Sequence, residues 1–259
     1  MNIANVYIGF DPRERAAYDV AVRSLLRHAS IPVRVTPIVL SSLESQGILK
    51  RPRRILPPGR MMMIGSGRNE RVVSSEASPL MWDDISGAPM TTEFAISRFA
   101  VPILAQTGWA AFFDCDFVFK ADIAELFSLA RDQYALMCVK HGELLEGGLK
   151  MDGKPQVPYA RKNWSSAMLF NCNHPANRAL TLDYLNRTKG RDLHRFAWLR
   201  DDLIGSLPLG WNWLVNVEPC PDEVKAAHFT LGGPWLPGWA GAKYDDLWLS
   251  SSADFRTGR

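Results

Sequence analysis

Residues 109–119 read Trp-Ala-Ala-Phe-Phe-Asp-Cys-Asp-Phe-Val-Phe, so Asp114 and Asp116 stand between two apolar runs. Trp109 to Phe113 has the length and composition of a strand buried on both faces. Side chains alternate along an extended chain, which puts both carboxylates on one side. Two carboxylates so close repel each other, and burying them uncompensated is costly, so a divalent cation is the natural third party. The bare Asp-x-Asp pattern carries little weight, because 17 aspartates in 259 residues give about one such pair by chance. Its setting carries more. Hard oxygen ligands at the carboxyl end of a central strand suit Mg2+ or Mn2+ bearing a nucleoside diphosphate, in the crevice where open α/β sheets bind ligands.

Reading outward from that strand, Asn2 to Ile8 is a short apolar stretch ending at Gly9, followed by apolar residues at Ala17, Ala21, Val22, Leu25 and Leu26. That pattern is a strand followed by a helix. Asp11, Pro12 and Glu14 fit an N-cap, a first-turn proline and a third-position acid, which fix the helix start. Val33 to Leu40 supplies a second strand, and this βαβ opening predicts a parallel, doubly wound sheet. Thr91 to Ala105 reads as a helix with Pro102 as its bend or end, leading into the Trp109 strand. Apolar runs at Tyr134 to Val139 and Ala167 to Phe170 alternate with helical stretches at Asp122 to Ala130 and Ala176 to Asn186. From Leu207 onward Pro, Gly and Trp dominate, which predicts a loop-rich end wrapped on the sheet.

The 259 residues, against about 150 per domain, favour one large domain or two sharing a core. Hydrophobic residues at 47% and charged residues at 22% exclude a disordered, collagen-like or coiled-coil chain. The longest nearly apolar run, Phe99 to Phe113, is broken by Gln106, Thr107 and Gly108 and falls short of the roughly 20 residues that span a bilayer. The start lacks the basic-then-apolar order of a secretory signal, so the chain is expected in the cytoplasm. There the sequons Asn163-Trp164-Ser165 and Asn186-Arg187-Thr188 stay unmodified. Cys115, Cys138, Cys172 and Cys220, spaced by 23, 34 and 48, match no zinc or redox motif and read as reduced, mostly buried thiols.

Net charge is only +3, yet residues 50–71 hold Lys50, Arg51, Arg53, Arg54, Arg60, Arg68 and Arg71 against Glu70 alone, so this segment is +6 and the remainder −3. With Pro52, Pro57, Pro58, Gly59, Gly65 and Gly67 it reads as an exposed loop able to meet phosphates or an anionic membrane surface, a peripheral contact at the inner face. Without aromatic interleaving it does not read as a nucleic-acid site.

His228 lies in Ala226 to Trp235. A neutral imidazole can complete a mixed oxygen and nitrogen shell that prefers Mn2+ over Ca2+, and Gly232 and Gly233 allow close backbone approach to an anion. Taken together and in order, VYIGFD (6–11), ISRF (96–99), DCD (114–116), SSAMLFN (165–171), RDD (200–202) before LPLGWNW (207–213), and HFTLGGPW (228–235) resemble the retaining glycosyltransferase family 8, nucleotide-sugar transferases of GT-A fold. The resemblance runs from Val6 to Trp235, and residues 41–90 show no motif of the family.

The resemblance implies an α/β fold with a Rossmann-like, mostly parallel central sheet flanked by helices and a loop-rich C-terminal part. It implies a single GT-A-like domain in which about 1–120 bind the nucleotide sugar and about 121–259 complete the metal and acceptor site. Asp114, Asp116 and His228 would hold Mn2+ or Mg2+. Gly9, Phe10 and Asp11 would line the uridine and ribose site, and Arg98 would reach the metal carboxylates or the donor phosphate. Cys115 would offer backbone, Ser165 and Ser166 would face the sugar, and Gly232, Gly233 and Trp235 would complete the donor site. Three departures stand out. The family's Asn-Ser/Ala-Gly triplet is Trp164-Ser165-Ser166, and its Asp-Gln-Asp segment is Arg200-Asp201-Asp202, which places Asp201 where the family has Gln beside the anomeric carbon. The lysine of the family's HxxGxxKPW, a diphosphate contact, is missing, with Lys243, Arg98 and Arg161 as candidates to replace it.

The implied activity is metal-dependent transfer of a hexose from a nucleotide sugar, a UDP-sugar, to a saccharide, lipid-linked or other acceptor with retention. The diphosphate must depart with its charge stabilised, while Asp201 or Asp202 steadies the oxocarbenium-like centre or positions the acceptor. A nucleotidyltransferase also pairs carboxylates on a metal, but no glycine-rich, lysine-bearing phosphate loop follows the first strand. A non-catalytic nucleotide-sugar-binding protein accords with the missing lysine and the altered triplet.

Overall fold

The structure, a computed structural model, describes residues 3–59, 61–64, 71–74, 79–142, 161, 163–236 and 238–257. Strand β1 (Ala4–Gly9) passes through a short 3-10 turn, Pro12–Glu14, into helix α1 (Arg15–His28) and strand β2 (Val33–Ile38). The start is capped as the sequence predicts, with Asp11 accepting from the Arg13 N–H and Pro12 in the first turn. Ala17, Ala21 and Leu25 are buried on α1, but Leu26 is 49% exposed and Ser24 takes the buried place. The Ser24 hydroxyl accepts the Phe119 N–H at 3.0 Å, so a polar group sits on the apolar face with its partner supplied.

After α2 (Leu40–Ser45) come five short strands, β3 (Arg53–Leu56), β4 (Met61–Ile64), β5 (Arg71–Ser74), β6 (Leu80–Asp83) and β7 (Ala88–Met90). Then follow α3 (Val101–Ala105), β8 (Trp109–Phe113), β9 (Phe117–Phe119), α4 (Ile123–Ser128), β10 (Leu136–Cys138) and β11 (Ala167–Asn171). The chain continues through α5 (Leu182–Arg187), α6 (Gly190–His194), β12 (Ile204–Ser206), β13 (Trp213–Leu214), β14 (Ala226–His228) and α7 (Asp245–Thr257).

The central sheet has the order β12-β10-β11-β8-β1-β2, with β11 antiparallel to both its neighbours and the other pairs parallel. It is the mostly parallel α/β sheet that the sequence predicts. A second sheet, β13-β14-β9, stands at the carboxyl end of β8, because β9 continues directly from the Asp114–Asp116 turn and pairs with β14. One buried apolar cluster runs through the central sheet, from Val6 and Ile8 on β1 to Phe112 and Phe113 on β8 and Leu169 on β11.

Four expectations are corrected. Pro102 does not bend or end a helix: it lies in the first turn of α3, preceded by the 3-10 turn Ser97–Ala100, where its missing N–H costs nothing. The C-terminal part is not only loop, since α7 packs Trp248 with Trp213 and Phe229 in a second apolar cluster. Cys115 and Cys138 are buried thiols as expected, but Cys220 is exposed. The basic segment is not a free loop over its first part. Arg51 is buried, its guanidinium 2.5 Å from Asp83 and hydrogen bonded to the carbonyls of Leu185 and Thr188, while Arg53 pairs with Glu44 and Arg54 with Asp84. Arg51, Arg53 and Arg54 therefore neutralise acids of the chain itself, while Arg60, Gly65, Gly67 and Arg68 lie outside the described residues. Among the described residues no helix is long and apolar enough to cross a membrane.

Candidate active site

Strand β8 ends at Phe113 and the chain turns through Asp114, Cys115 and Asp116 before β9 begins at Phe117. The turn is fixed by backbone on both sides, Asp114 donating to the Ser166 carbonyl at 2.9 Å and Phe229 to that of Asp116 at 3.0 Å. Phe113, Phe117 and Phe119 pack edge to face and stacked beneath it. His228, last residue of β14, is brought opposite Phe117 by the strand register and stacks on its ring at 4.4 Å. One ligand atom from each of Asp114, Asp116 and His228 lies within 4.8 Å of the others.

The cluster fits a divalent cation on its own chemistry. The Asn212 amide donates to the Ser166 hydroxyl at 2.9 Å, so its carbonyl oxygen is the group that accepts from Nδ1 of His228 at 3.0 Å. That assignment turns the Nε2 lone pair toward Asp116 Oδ1, 3.2 Å away, an arrangement that asks for a cation or a proton between them. Oδ1 of Asp114 and Oδ1 of Asp116 are both buried without an aligned hydrogen bond. An arginine and an imidazole stand beside them, Arg98 Nη1 lying 2.7 Å from Asp114 Oδ1.

The titration of the site follows from burial and crowding. Burial pushes the Asp114 carboxyl up to about 6, with Arg98 opposing and Asp116 reinforcing the shift. Burial acts in the same sense on Asp116, but His228 beside it outweighs that and holds the carboxyl below its ordinary value. Glu14 was read only as a helix-start acid. It lies 3.8 Å from Cys115 Sγ and is driven up to about 8 by burial, then by Asp116 and Asp11.

The other expected donor residues are placed as follows. Arg98 is clamped between the rings of Phe94 and Phe112 and donates to the Ser165 carbonyl at 2.9 Å, so it serves Asp114 from a fixed position. Gly9 is required because a Cβ there would meet the Phe94 ring at 2.4 Å, and Phe10 packs edge to face on Tyr18. Asp11 is fully buried and spends its oxygens on Arg13 and the Glu93 N–H; these contacts hold its carboxyl below the usual range although burial acts the other way. Ser165 faces His194 at 2.7 Å, and Ser166 belongs to the Asn212 network. Gly232 has φ 110°, and a Cβ at Gly233 would meet the Trp235 ring at 2.2 Å; Trp235 itself packs on Phe229 and Trp248.

Asp201 and Asp202 are not gathered into the cluster. They precede β12, whose first residue Ile204 is level, through Leu136 and Phe170, with Ala110 near the amino end of β8. Asp201 is 90% exposed and paired with Arg161, and Asp202 pairs with Arg200. Of the three bases considered as substitutes for the missing lysine, Arg98 alone stands at the cluster, since Arg161 holds Asp201 and Lys243 lies over the Tyr244 ring. Sequence reading missed Glu14 as a site residue, and Asn212 as the orienting partner of His228. Asn212 carried a signal, a lone amide between two tryptophans of LPLGWNW.

No family model matches the chain. It is 40% identical over 256 residues, 96% of this chain and 86% of that one, to Protein CDI of Arabidopsis thaliana. Among solved structures it resembles the bifunctional glycosyltransferase WbbM (TM-score 0.55, 14% identity, 97% of this chain and 50% of that one). The glycosyltransferase GlyE of Streptococcus pneumoniae TIGR4 gives a TM-score of 0.56 at 12% identity, over 96% of this chain and 60% of that one. The galactosyltransferase LgtC, solved with donor and acceptor sugar analogs, gives 0.52 at 11% identity, over 96% of this chain and 95% of that one. The chain thus spans half of WbbM and 60% of GlyE. These likenesses establish the fold: the mixed α/β sheet of known glycosyltransferases.

Proposed function

The chain belongs to the family of Protein CDI of Arabidopsis thaliana, and from that premise we propose that it is a metal-dependent glycosyltransferase moving a hexose from a UDP-sugar to a saccharide or lipid-linked acceptor with retention. The observation that carries the reading is the convergence of Asp114, Asp116 and His228 at the carboxyl end of β8, on a sheet shared with glycosyltransferases. Asp114, Asp116 and His228 would hold Mn2+ or Mg2+, whose part is to offset the charge of the departing diphosphate as a Lewis acid.

The chain's own residues do the rest. Arg98 holds Asp114 in place and brings a fixed positive charge to the leaving-group side, the task the absent lysine would have had. Asn212 keeps the Nδ1 proton of His228 and so keeps Nε2 free for ligation. Gly232, at a φ of 110°, and Gly233, packed against the Trp235 ring, shape the turn after His228 that would face the phosphates. Ser165 and Ser166, in the turn that leads into β11 beside Asp114, would face the donor sugar.

The test is calorimetric titration of UDP-, GDP-, CDP- and ADP-hexoses with and without Mn2+, joined to an assay of nucleotide release. The reading expects one nucleotide, UDP, to bind only with metal and to be released from its sugar on turnover. Tight metal-dependent binding without release supports the non-catalytic binding protein instead, and release of pyrophosphate from a nucleoside triphosphate supports a nucleotidyltransferase.

A further inference from the structure

The end of the central sheet opposite the metal cluster carries an open cleft of about 350 Å3, within the size range of small-molecule sites. Trp109, the first residue of β8, and Asn171, the last of β11, are cross-strand partners, so the cleft begins where that ladder ends. Asp132 enters from the loop before β10, and Asn173, His174 and Pro175 from the turn that follows β11. Trp109 and Asp114 are five residues apart along an extended chain, about 16 Å, which separates this cleft from the candidate active site.

The groups around the cleft are held from behind and open in front. Buried Asn171 takes the Asn173 N–H on its Oδ1 at 3.2 Å, and the Asn177 amide donates to the Asn171 carbonyl at 2.9 Å, which fixes the turn. The Trp109 indole N–H donates to Asp132 Oδ1 at 3.3 Å, so a half-buried ring and an exposed carboxylate orient each other. Oδ1 of Asn173 accepts the Gly108 N–H at 3.2 Å and leaves the amide NH2 as a donor. Nδ1 of His174 accepts the Ala176 N–H at 3.2 Å, so the imidazole carries its proton on Nε2, a second donor. No described residue engages Asp132 Oδ2, Asn173 Nδ2 or His174 Nε2.

One aromatic ring, one charged acceptor and two neutral donors restrict the ligand. An apolar molecule leaves the polar groups unpaired, and a cation meets two donors beside the one carboxylate. An anion meets Asp132 with no base to offset it, since among the described residues no lysine or arginine lines the cleft. A pyranose, with an apolar C–H face and hydroxyls that both donate and accept, satisfies every group. We propose that this cleft binds neutral saccharide chains. The C–H face of one sugar ring lies against the Trp109 indole, a hydroxyl of that ring donates to Asp132 Oδ2, and neighbouring oxygens accept from Asn173 and His174. Because the turn is already ordered, binding spends little on fixing it. The site needs neither metal nor nucleotide and stands apart from the transferase reading.

The experiment titrates the full chain, in chelator and without nucleotide, with maltotriose, cellotriose, xylotriose and β-1,4-galactotriose, and with trigalacturonic acid as a charged counterpart. Calorimetry reads each Kd. At least one neutral trisaccharide should bind with a Kd of about 1 mM or below, and trigalacturonate about tenfold more weakly or not at all. Trp109→Ala should weaken the neutral binding about tenfold or more. Asp132→Ala should weaken it about tenfold, the worth of one charge-assisted hydrogen bond, and this exposed position decides the matter if Trp109→Ala does not fold. Binding that the folded variants leave unchanged overturns the proposal, because the saccharide then sits elsewhere. Trigalacturonate bound as tightly as the neutral chains overturns it too, as does an unaltered chain that binds none of the neutral trisaccharides. Failure of UDP-sugar to bind with metal, measured separately, refutes the transferase reading and leaves this site standing.

Discussion

Replacing Asp114 by Asn should make the metal-free protein more stable, not less. A carboxyl moved from 3.8 up to about 6 on folding carries, at pH 7, about 3 kcal/mol against its charged form. Asp114 is only 16% exposed, so solvent screening removes little of this, and the opposing help from Arg98 is already contained in the shifted value. Asn keeps the shape and discards the charge. For a chain of this size about 3 kcal/mol corresponds to a rise of roughly 5 °C or more in Tm. The gain should appear in a melting series in chelator at pH 7–8, shrink as pH falls through about 6 to 4, and vanish near pH 3 and below, where Asp114 is protonated in both states. In the same series Mn2+ should raise the Tm of the unaltered chain and leave Asp114→Asn unmoved. A variant that melts lower than the parent in chelator, or that still responds to Mn2+, refutes the assignment of Asp114 as a ligand whose charge the fold holds at a cost.

Four further outcomes are expected. The folded-state values of Asp114 and Glu14 are raised, to about 6 and about 8, so their penalty is absent at low pH and the metal-free Tm should fall as pH rises from about 4 to 8. Protons compete with the metal for Asp114, so Mn2+ affinity by calorimetry should be about tenfold weaker at pH 5 than at pH 8. Asn212→Leu leaves the Nδ1 of His228 without its acceptor and should weaken Mn2+ binding about 10- to 100-fold, read by metal titration, with secondary structure intact by circular dichroism. Arg51→Met strands the buried Asp83 carboxylate and should cost about 3–5 kcal/mol in denaturant unfolding, a loss that leaves donor affinity in the folded protein unchanged.

The central strands, the start of α1 and the clustering of Asp114, Asp116 and His228 were legible because each rests on local chemistry: an apolar run closed by acids, an Asp-Pro cap, a histidine beside paired glycines. What escaped was set by distant partners. Pro102 looks the same at the start of a helix as at its end, and only the 3-10 turn before it distinguishes the two. Arg51, Arg53 and Arg54 look like a free basic face because their acids, Asp83, Glu44 and Asp84, lie up to 32 positions away. Glu14 was assigned a capping role, since the acids that crowd it, Asp11 apart, come from a strand about a hundred residues later. Asp201 and Asp202 match a motif in sequence, but their ion-pair partners, Arg161 and Arg200, are set by the fold around them.

The electrostatics of the site argue for a cation more strongly than any one distance does. Asp11 is satisfied by Arg13 and backbone N–H groups, which leaves Glu14, Asp114 and Asp116 to share Arg98 and His228. Three acids against one permanent and one conditional base give an unbalanced site, and the fold answers by holding Asp114 and Glu14 toward their protonated forms. Had the acids served stability alone, one more arginine or one fewer carboxylate would have removed the imbalance. Asn212 points the same way. Its amide is tied to Ser166, so its oxygen must take the Nδ1 proton of His228 and leave Nε2 bare toward a carboxylate. A neutral structural histidine gains nothing from that orientation, which a proton or a divalent cation between Nε2 and Asp116 completes.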